Sequence, residues 1–367
     1  MVFLLSNFID VLQTTGYIIL GLLALTSMII IHELGHYVAG KALGFKIIEF
    51  GVGFGPPVYK HINKRNGEIF SIRPIPLGGF CRFESEDDEY ESNSPTAFDN
   101  KPAWKRIIVL ASGALFNLIS ALIIISIFFS VFGQVMLKVE HVYPDSENHI
   151  MKGDIVLKVN GHNLNVLETN DAFVLLKSSQ DTADIVVLRN GKQENITINK
   201  YNYIVGEFDE NGNFTPTLVD EKEQTNYGFG FVGTISVQKI SFGLSLERAF
   251  SFTFFVVYKV FEIFGRLLTG KLGIDALGGP VSTIQVMTNA SRSGIATLLY
   301  AISIISANIA VMNLLPIPAL DGARIVFCIV EIITKKPISK KVQGIIHTIG
   351  FLAIILFAIL IDVLKFI

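Results

Sequence analysis

Charge is what this chain has least of. Asp, Glu, Lys and Arg make up 17% of its 367 residues, against about a quarter in a soluble domain. Half of the residues are hydrophobic. That composition excludes an ordinary soluble domain and indicates a membrane protein. Net charge is only −2, so no basic surface marks a nucleic-acid partner. Cysteine is nearly absent. Cys81 and Cys328 are far apart, which excludes a disulfide framework and a cysteine zinc site, and both read as inert thiols. The opening MVFLLSNFIDVLQTTGY has no Lys or Arg. It lacks the basic region and cleavage site of a signal peptide and reads as a retained anchor.

What is abundant is uncharged length. Residues 11–31, 107–137, 295–320 and 342–361 contain no Asp, Glu, Lys or Arg. Each run is near or above the roughly 20 residues that cross a hydrocarbon core. In lipid every backbone polar group needs an internal partner, so such runs are helical. The expected fold is a polytopic α-helical membrane protein with about four transmembrane helices, near 11–40, 107–132, 295–330 and 342–364. Lys and Arg cluster in KALGFK, KPAWKR and KKPISKK. Positive charge near span ends marks the cytoplasmic side. Both termini and the stretch from about 138 to 294 then fall outside.

The connections carry their own structure. FKIIEFGVGFGPPVYKHINKRNGEIFSIRPIPLGGFCRF, within 44–84, has β-branched and aromatic runs around an NKRNGE turn, which predicts a β-hairpin. ESEDDEYESNS after it reads as a solvated acidic loop. Residues 135–200 alternate β-like runs with Gly and Asn turns, and ETNDAFVLLKSS has helical spacing. A small strand-rich α+β domain is expected there. Residues 201–245 are polar and Gly-rich and receive no assignment. In LSLERAFSFTFFVVYKVFEIFGRLLTGKLG the charges Glu247, Arg248, Lys259, Glu262 and Arg266 recur at intervals that could share one helical face. An interfacial amphipathic helix fits, and a fifth span is the competing reading. The division is then a first core half at 1–132, the inserted domain at 135–200, linker and surface segment at 201–294, and a second core half at 295–367.

Chemistry concentrates in HELGH, residues 32 to 36. Residues four apart share a helix face, so His32 and His36 can offer two nitrogens to one metal ion. Glu33 adjoins them, placed to take a proton from an activated water. Ionisable residues at the end of a membrane span are costly and point to function. A catalytic zinc needs a third protein ligand and an open position. NIAVMNLLPIPALDGARIVF supplies Asp321 behind two helix-interrupting prolines, Pro316 and Pro318. The bland alternative has Asp321 capping a helix or pairing with Arg324. Spans one and three run the same way, so both motifs fall at cytoplasmic ends and could meet at one depth.

Together HELGH, NLLPIPALDG and IRPIPLGGF resemble the site-2 protease family of intramembrane zinc metalloproteases. Within it the chain resembles the bacterial regulator-of-sigma-E protease type with one inserted PDZ domain. The resemblance implies one Zn2+ held by His32, His36 and Asp321, with Glu33 as general base. It implies that Asn313 supports substrate or transition state, and that Asn117, in GALFN, occupies the family's GxxxN position. Pro76, Gly78 and Gly79 fall in a membrane-associated hairpin whose edge binds substrate as an added strand. LGGPVSTIQ matches a Gly-Gly-Pro element before the third span. KGDIVLKVNGHNL and VVLRNGKQENITI resemble a circularly permuted PDZ domain, while YPDSENHIMKGD is shorter and more polar than the pattern. The implied activity is regulated intramembrane proteolysis in the bacterial inner membrane. Its substrates would be single-span proteins such as anti-sigma factors, or remnant signal peptides, already trimmed outside by an upstream protease of the site-1 type. Asn313 and Asn117 also suit plain interhelical hydrogen bonding. An ion transporter would need inverted repeats, and the halves show no self-similarity. An inactive scaffold would have no need of Glu33.

Overall fold

The computed structural model describes residues 2–85, 93–144, 146–164, 171–273 and 277–366. The element order is α1 (Val2–Ala42), β1 (Ile47–Phe54), β2 (Tyr59–Ile62), β3 (Ile69–Ile72), β4 (Ile75–Phe83), α2 (Ala103–Phe132), β5 (Gln134–Val142), β6 (Ile155–Val159), β7 (His162–Asn163), α3 (Asp171–Ser178), β8 (Thr182–Arg189), β9 (Lys192–Asn199), β10 (Tyr201–Ile204), β11 (Gly206–Phe208), β12 (Phe214–Pro216), β13 (Leu218–Val219), β14 (Lys222–Glu223), β15 (Thr225–Gly228), β16 (Phe231–Gln238), α4 (Phe242–Leu268), α5 (Pro280–Arg292), α6 (Ile295–Leu314), α7 (Asp321–Thr334) and α8 (Lys340–Phe366). The chain divides into two compact units, Met1–Ile125 with Val256–Ile367, and Ser126–Phe255.

Four helices among the described residues are long and apolar enough to cross a membrane: Asp10–Ala42, Ala103–Phe132, Ile295–Leu314 and Lys340–Lys365. The third is shorter than the expected 295–330. α6 stops at Leu314, residues 315–320 are irregular, and a separate helix starts at Asp321. Proline disfavours helical backbone in the residue before it, and Leu315, which precedes Pro316, is extended with ψ of 146°. α5 lies inside the stretch read as linker and surface segment, yet it packs on α1 through Met287, Met28 and Ala24. The Gly-Gly-Pro element is its start: Gly279 is the N-cap and Pro280 opens the helix. The Asp362 carboxylate on α8 accepts the Val281 amide at 3.0 Å. A Cβ on Gly279 would occupy that carboxylate's place.

Residues 44–84 form more than a hairpin. β2 and β3 pair antiparallel across the NKRNGE turn as expected. β1 then joins β3 in parallel and β4 antiparallel, giving the order β2-β3-β1-β4. The hairpin prediction pairs sequence neighbours, and it misses the parallel return because that contact is non-local. β4 is an edge strand. Glu49 on β1 is buried beside Ser71 at 2.6 Å and Arg73 at 2.9 Å. Burial works against its charge, but the Ser71 hydroxyl and the Arg73 and Arg82 guanidiniums prevail and hold the carboxyl below its ordinary range. Val58, Ile62, Phe70 and Ile72 leave apolar surface exposed on the sheet. Of the acidic tract, residues 86–92 lie outside the described residues.

The second unit is built on a six-stranded sheet of order β16-β5-β6-β8-β9, with β7 on β6. Val139, Val156, Ile185, Val187 and Ile198 fill its core. Asp154, almost fully buried, is paired with Arg189 at 2.7 Å. One edge strand, β16, comes from outside 135–200, and its pairing with β5 is long-range. The unassigned residues 201–228 make three two-stranded ribbons. They carry an aromatic cluster in which Tyr143 stacks on Tyr203 and His141 on Phe208, with centroids 4.5 and 4.4 Å apart. α4 is not among the four candidate spans. Arg248, placed by its spacing on a polar face, is buried and donates to the Gln134 side chain and to the Leu157 and Leu164 carbonyls.

Candidate metal centre

The centre is assembled where α1 crosses α2. Gly35 on α1 permits the crossing, since a Cβ there would strike the Ser112 carbonyl. Gly113 on α2 faces the two histidine rings. His32 and His36 lie one turn apart on α1, both buried. Their Nε2 atoms are 3.1 Å apart. Asp321, the first residue of α7, brings Oδ2 to 3.0 Å from His32 Nε2 and 3.2 Å from His36 Nε2. These three residues form a group able to hold a metal ion, with ligand atoms all within 4.8 Å of one another.

The donor set fits zinc. Two imidazole nitrogens and a carboxylate oxygen are a zinc donor set, and ligands about 2.0–2.1 Å from a tetrahedral ion stand roughly 3.3 Å apart. The observed spacings of 3.0–3.2 Å are close to that. A ligating histidine is usually oriented through its other ring nitrogen. His36 Nδ1 meets the Val109 carbonyl on α2 at 2.8 Å. His32 Nδ1 is buried with no hydrogen-bond partner among the described residues.

Glu33 adjoins the triad and lines the same cavity of about 490 Å³, together with Phe80, Cys81, Asn313 and Arg324. The Cys81 backbone amide hydrogen-bonds its carboxyl. Backbone groups alternate sides along a strand, so Cys81 and Gly79 present theirs to the edge of β4 away from β1. A Cβ on Gly79 would sit 3.4 Å from Glu33 Cγ and 3.1 Å from the Gly51 carbonyl.

The remaining sequence candidates divide. Asn313, near the end of α6, lines the cavity. Asn117 is fully buried but does not line it, and its side-chain amide has no hydrogen-bond partner among the described residues. Its backbone carbonyl accepts the Ser306 and Ser120 hydroxyls at 2.9 Å. Pro76 is exposed on β4, where its carbonyl accepts the Thr26 hydroxyl of α1. Gly78 has a φ of +144°, and a Cβ there would collide with the Phe54 ring. Both therefore fix the strand rather than border the cavity. Sequence reasoning passed over Gly113, the Val109 carbonyl and the Cys81 amide. Only Gly113 carried a signal, four residues before Asn117.

Spanning helices, an inserted β-rich unit and a two-histidine, one-carboxylate cluster with an adjoining glutamate define a class: a multi-pass membrane protein built to hold a hydrolytic metal. The chain belongs to peptidase family M50, whose model matches residues 20–357. It is 30% identical over 352 residues to a Clostridium perfringens chain provisionally named a zinc metalloprotease, covering 95% of this chain and 97% of that one. A Fusobacterium nucleatum chain of similar provisional name is 28% identical, covering 94% and 97%. One from Clostridium acetobutylicum is 29% identical, covering 94% and 96%. The protein is a zinc metalloprotease of the site-2 protease family.

Proposed function

We propose that the protein cuts single-span membrane proteins within the bilayer, with His32, His36 and Asp321 as zinc ligands and Glu33 as general base. The observation that carries this is the convergence of the three donor atoms beside Glu33 and the open edge of β4 in one cavity. Zinc bound there supplies Lewis acidity toward water and the scissile carbonyl. Glu33 takes a proton from the attacking water and delivers it to the leaving amine. The Cys81 amide holds the Glu33 carboxyl in place for that transfer. The outward backbone groups of Gly79 and Cys81 hold the substrate as an added strand, because a helix must become extended before it is cut. Asn313 reaches the same cavity and supports the substrate or its transition state.

The charge pattern supports a cytoplasmic-side centre in a bacterial inner membrane, with the stretch from about 138 to 294 on the outer side. Residues 135–200 are read as PDZ-like, binding a peptide terminus or excluding bulky outer domains. Substrates are anti-sigma-factor-like regulators or remnant signal peptides, trimmed first by another protease. Labelling of cysteines introduced near Glu89 and Asn190 tests the topology, and labelling from one side would overturn it.

The deciding experiment compares wild type and Glu33→Gln on a tagged single-span reporter already shortened outside. The expected result is loss of cleavage with zinc retained. Equal cleavage by both would remove Glu33 from the mechanism.

A further inference from the structure

Asp321 follows a turn with an unusual backbone. Pro316 and Pro318 break the helix ladder, and Ala319 takes a left-handed φ of +77°. That region is unfavourable for a residue with a Cβ. Within the turn, the Ile317 amide reaches the Leu315 carbonyl at 2.7 Å and the Leu320 amide reaches the Ile317 carbonyl at 3.1 Å. Neither bond restrains the Ala319 amide.

That restraint comes from α8. His347 Nδ1 accepts the Ala319 amide at 3.0 Å. The imidazole is itself held edge-to-face against Phe327 of α7, with centroids 5.6 Å apart at 85°. One turn on, Gly350 lets Pro318 settle directly against the helix. A Cβ there would collide with the proline ring and lie 2.9 Å from its carbonyl carbon. His347 and Gly350, three residues apart, lie on one face of α8. They grip consecutive residues of the turn, two and three positions before Asp321.

We propose that His347 is a positioning residue for the metal centre. It clamps Ala319 in its strained conformation and so sets the Asp321 carboxylate between His32 and His36. This rests on the reading of Asp321 as a ligand. In this role the histidine acts on Asp321 through the turn. Two of its contacts can be broken separately, the acceptor at Nδ1 and the ring contact with Phe327.

The test uses the full-length protein in detergent and measures bound zinc, its rate of loss to a chelator, reporter cleavage and thermal unfolding. His347→Phe keeps a ring against Phe327 but removes the acceptor. His347→Asn restores an acceptor near Nδ1 without the ring. Orienting partners of metal ligands are worth about 10–100-fold in affinity or activity. His347→Phe should therefore lose zinc at least about tenfold faster, and His347→Asn should recover much of the difference. If His347→Phe folds poorly, adding Ala319→Gly to it should slow zinc loss again, since glycine takes positive φ freely. Zinc retention and cleavage by His347→Phe at wild-type levels would overturn the proposal. So would greater impairment of the Asn variant than of the Phe variant, which would assign the effect to ring packing. Asp321→Asn runs alongside. If it keeps zinc as wild type does, the ligand reading itself fails. If it loses zinc while His347→Phe does not, only the positioning role fails.

Discussion

Gly113→Ala is the sharpest perturbation the centre offers. A Cβ at this position would lie 2.5 Å from His36 Nε2 and 2.7 Å from His32 Cε1, where ordinary contact begins at 3.4 Å. The His36 nitrogen must then retreat about 0.9 Å and the His32 ring about 0.7 Å, unless α1 and α2 part. Metal–ligand distances tolerate about 0.2 Å, so a displacement of that size removes both nitrogens as donors. Stability moves differently. Alanine gains about 1 kcal/mol of helix propensity over glycine, while overpacking costs about 1–3 kcal/mol. The net loss is therefore about 2 kcal/mol at most. The expected phenotype is a folded protein with bound zinc and cleavage reduced at least about tenfold, read by metal analysis and thermal unfolding on one sample. Gly35→Ala provides the contrast, because its Cβ would meet the Ser112 backbone rather than a ring. It should lower stability by forcing the helices apart. Full zinc occupancy and activity in Gly113→Ala would refute the placement of the rings.

Other outcomes follow from the sheet. Cys81→Pro removes the amide that holds Glu33 but leaves pairing with β1, since proline is tolerated on an edge strand. Cleavage should fall several-fold with zinc retained, whereas Cys81→Ser should behave as wild type. Unimpaired cleavage by Cys81→Pro would count against the amide's role. Glu49 has its folded pKa held below the ordinary 4.5. Its stabilisation is present above that value and is lost as pH falls from there through the lowered one. Wild type should therefore lose thermal stability below about pH 4.5 more steeply than Glu49→Gln. Parallel profiles would show that Ser71, Arg73 and Arg82 do not favour the charged form.

The site was more legible in the sequence than the fold around it. HELGH declares itself because helical spacing is local. Asp321 was visible because a charge behind two prolines ends an apolar run. Contacts between distant segments were not. The parallel pairing of β1 with β3, the recruitment of β16 across the ribbons and the burial of Arg248 depend on partners that no local pattern names. Gly113 shows the same limit from the other side. Its value lies in an atom it does not have, and only a neighbouring helix reveals what that atom would strike. The Asp321 turn was read as a helix break, but its support from His347 and Gly350 needed α8 in place.

β4 is anchored at both ends to helices long and apolar enough to cross a membrane. Its Pro76 carbonyl accepts from Thr26 of α1, and Ser85, just past its other end, receives Lys340 at the start of α8 at 3.2 Å. A chain that pairs with β4 would meet a ruler rather than a groove. Strand pairing repeats every two residues, and a slip of one turns every side chain to the opposite face. Cleavage would then have a parity. Secondary cuts should fall two residues from the main one, and a single-residue insertion in the substrate should move the cut rather than broaden it.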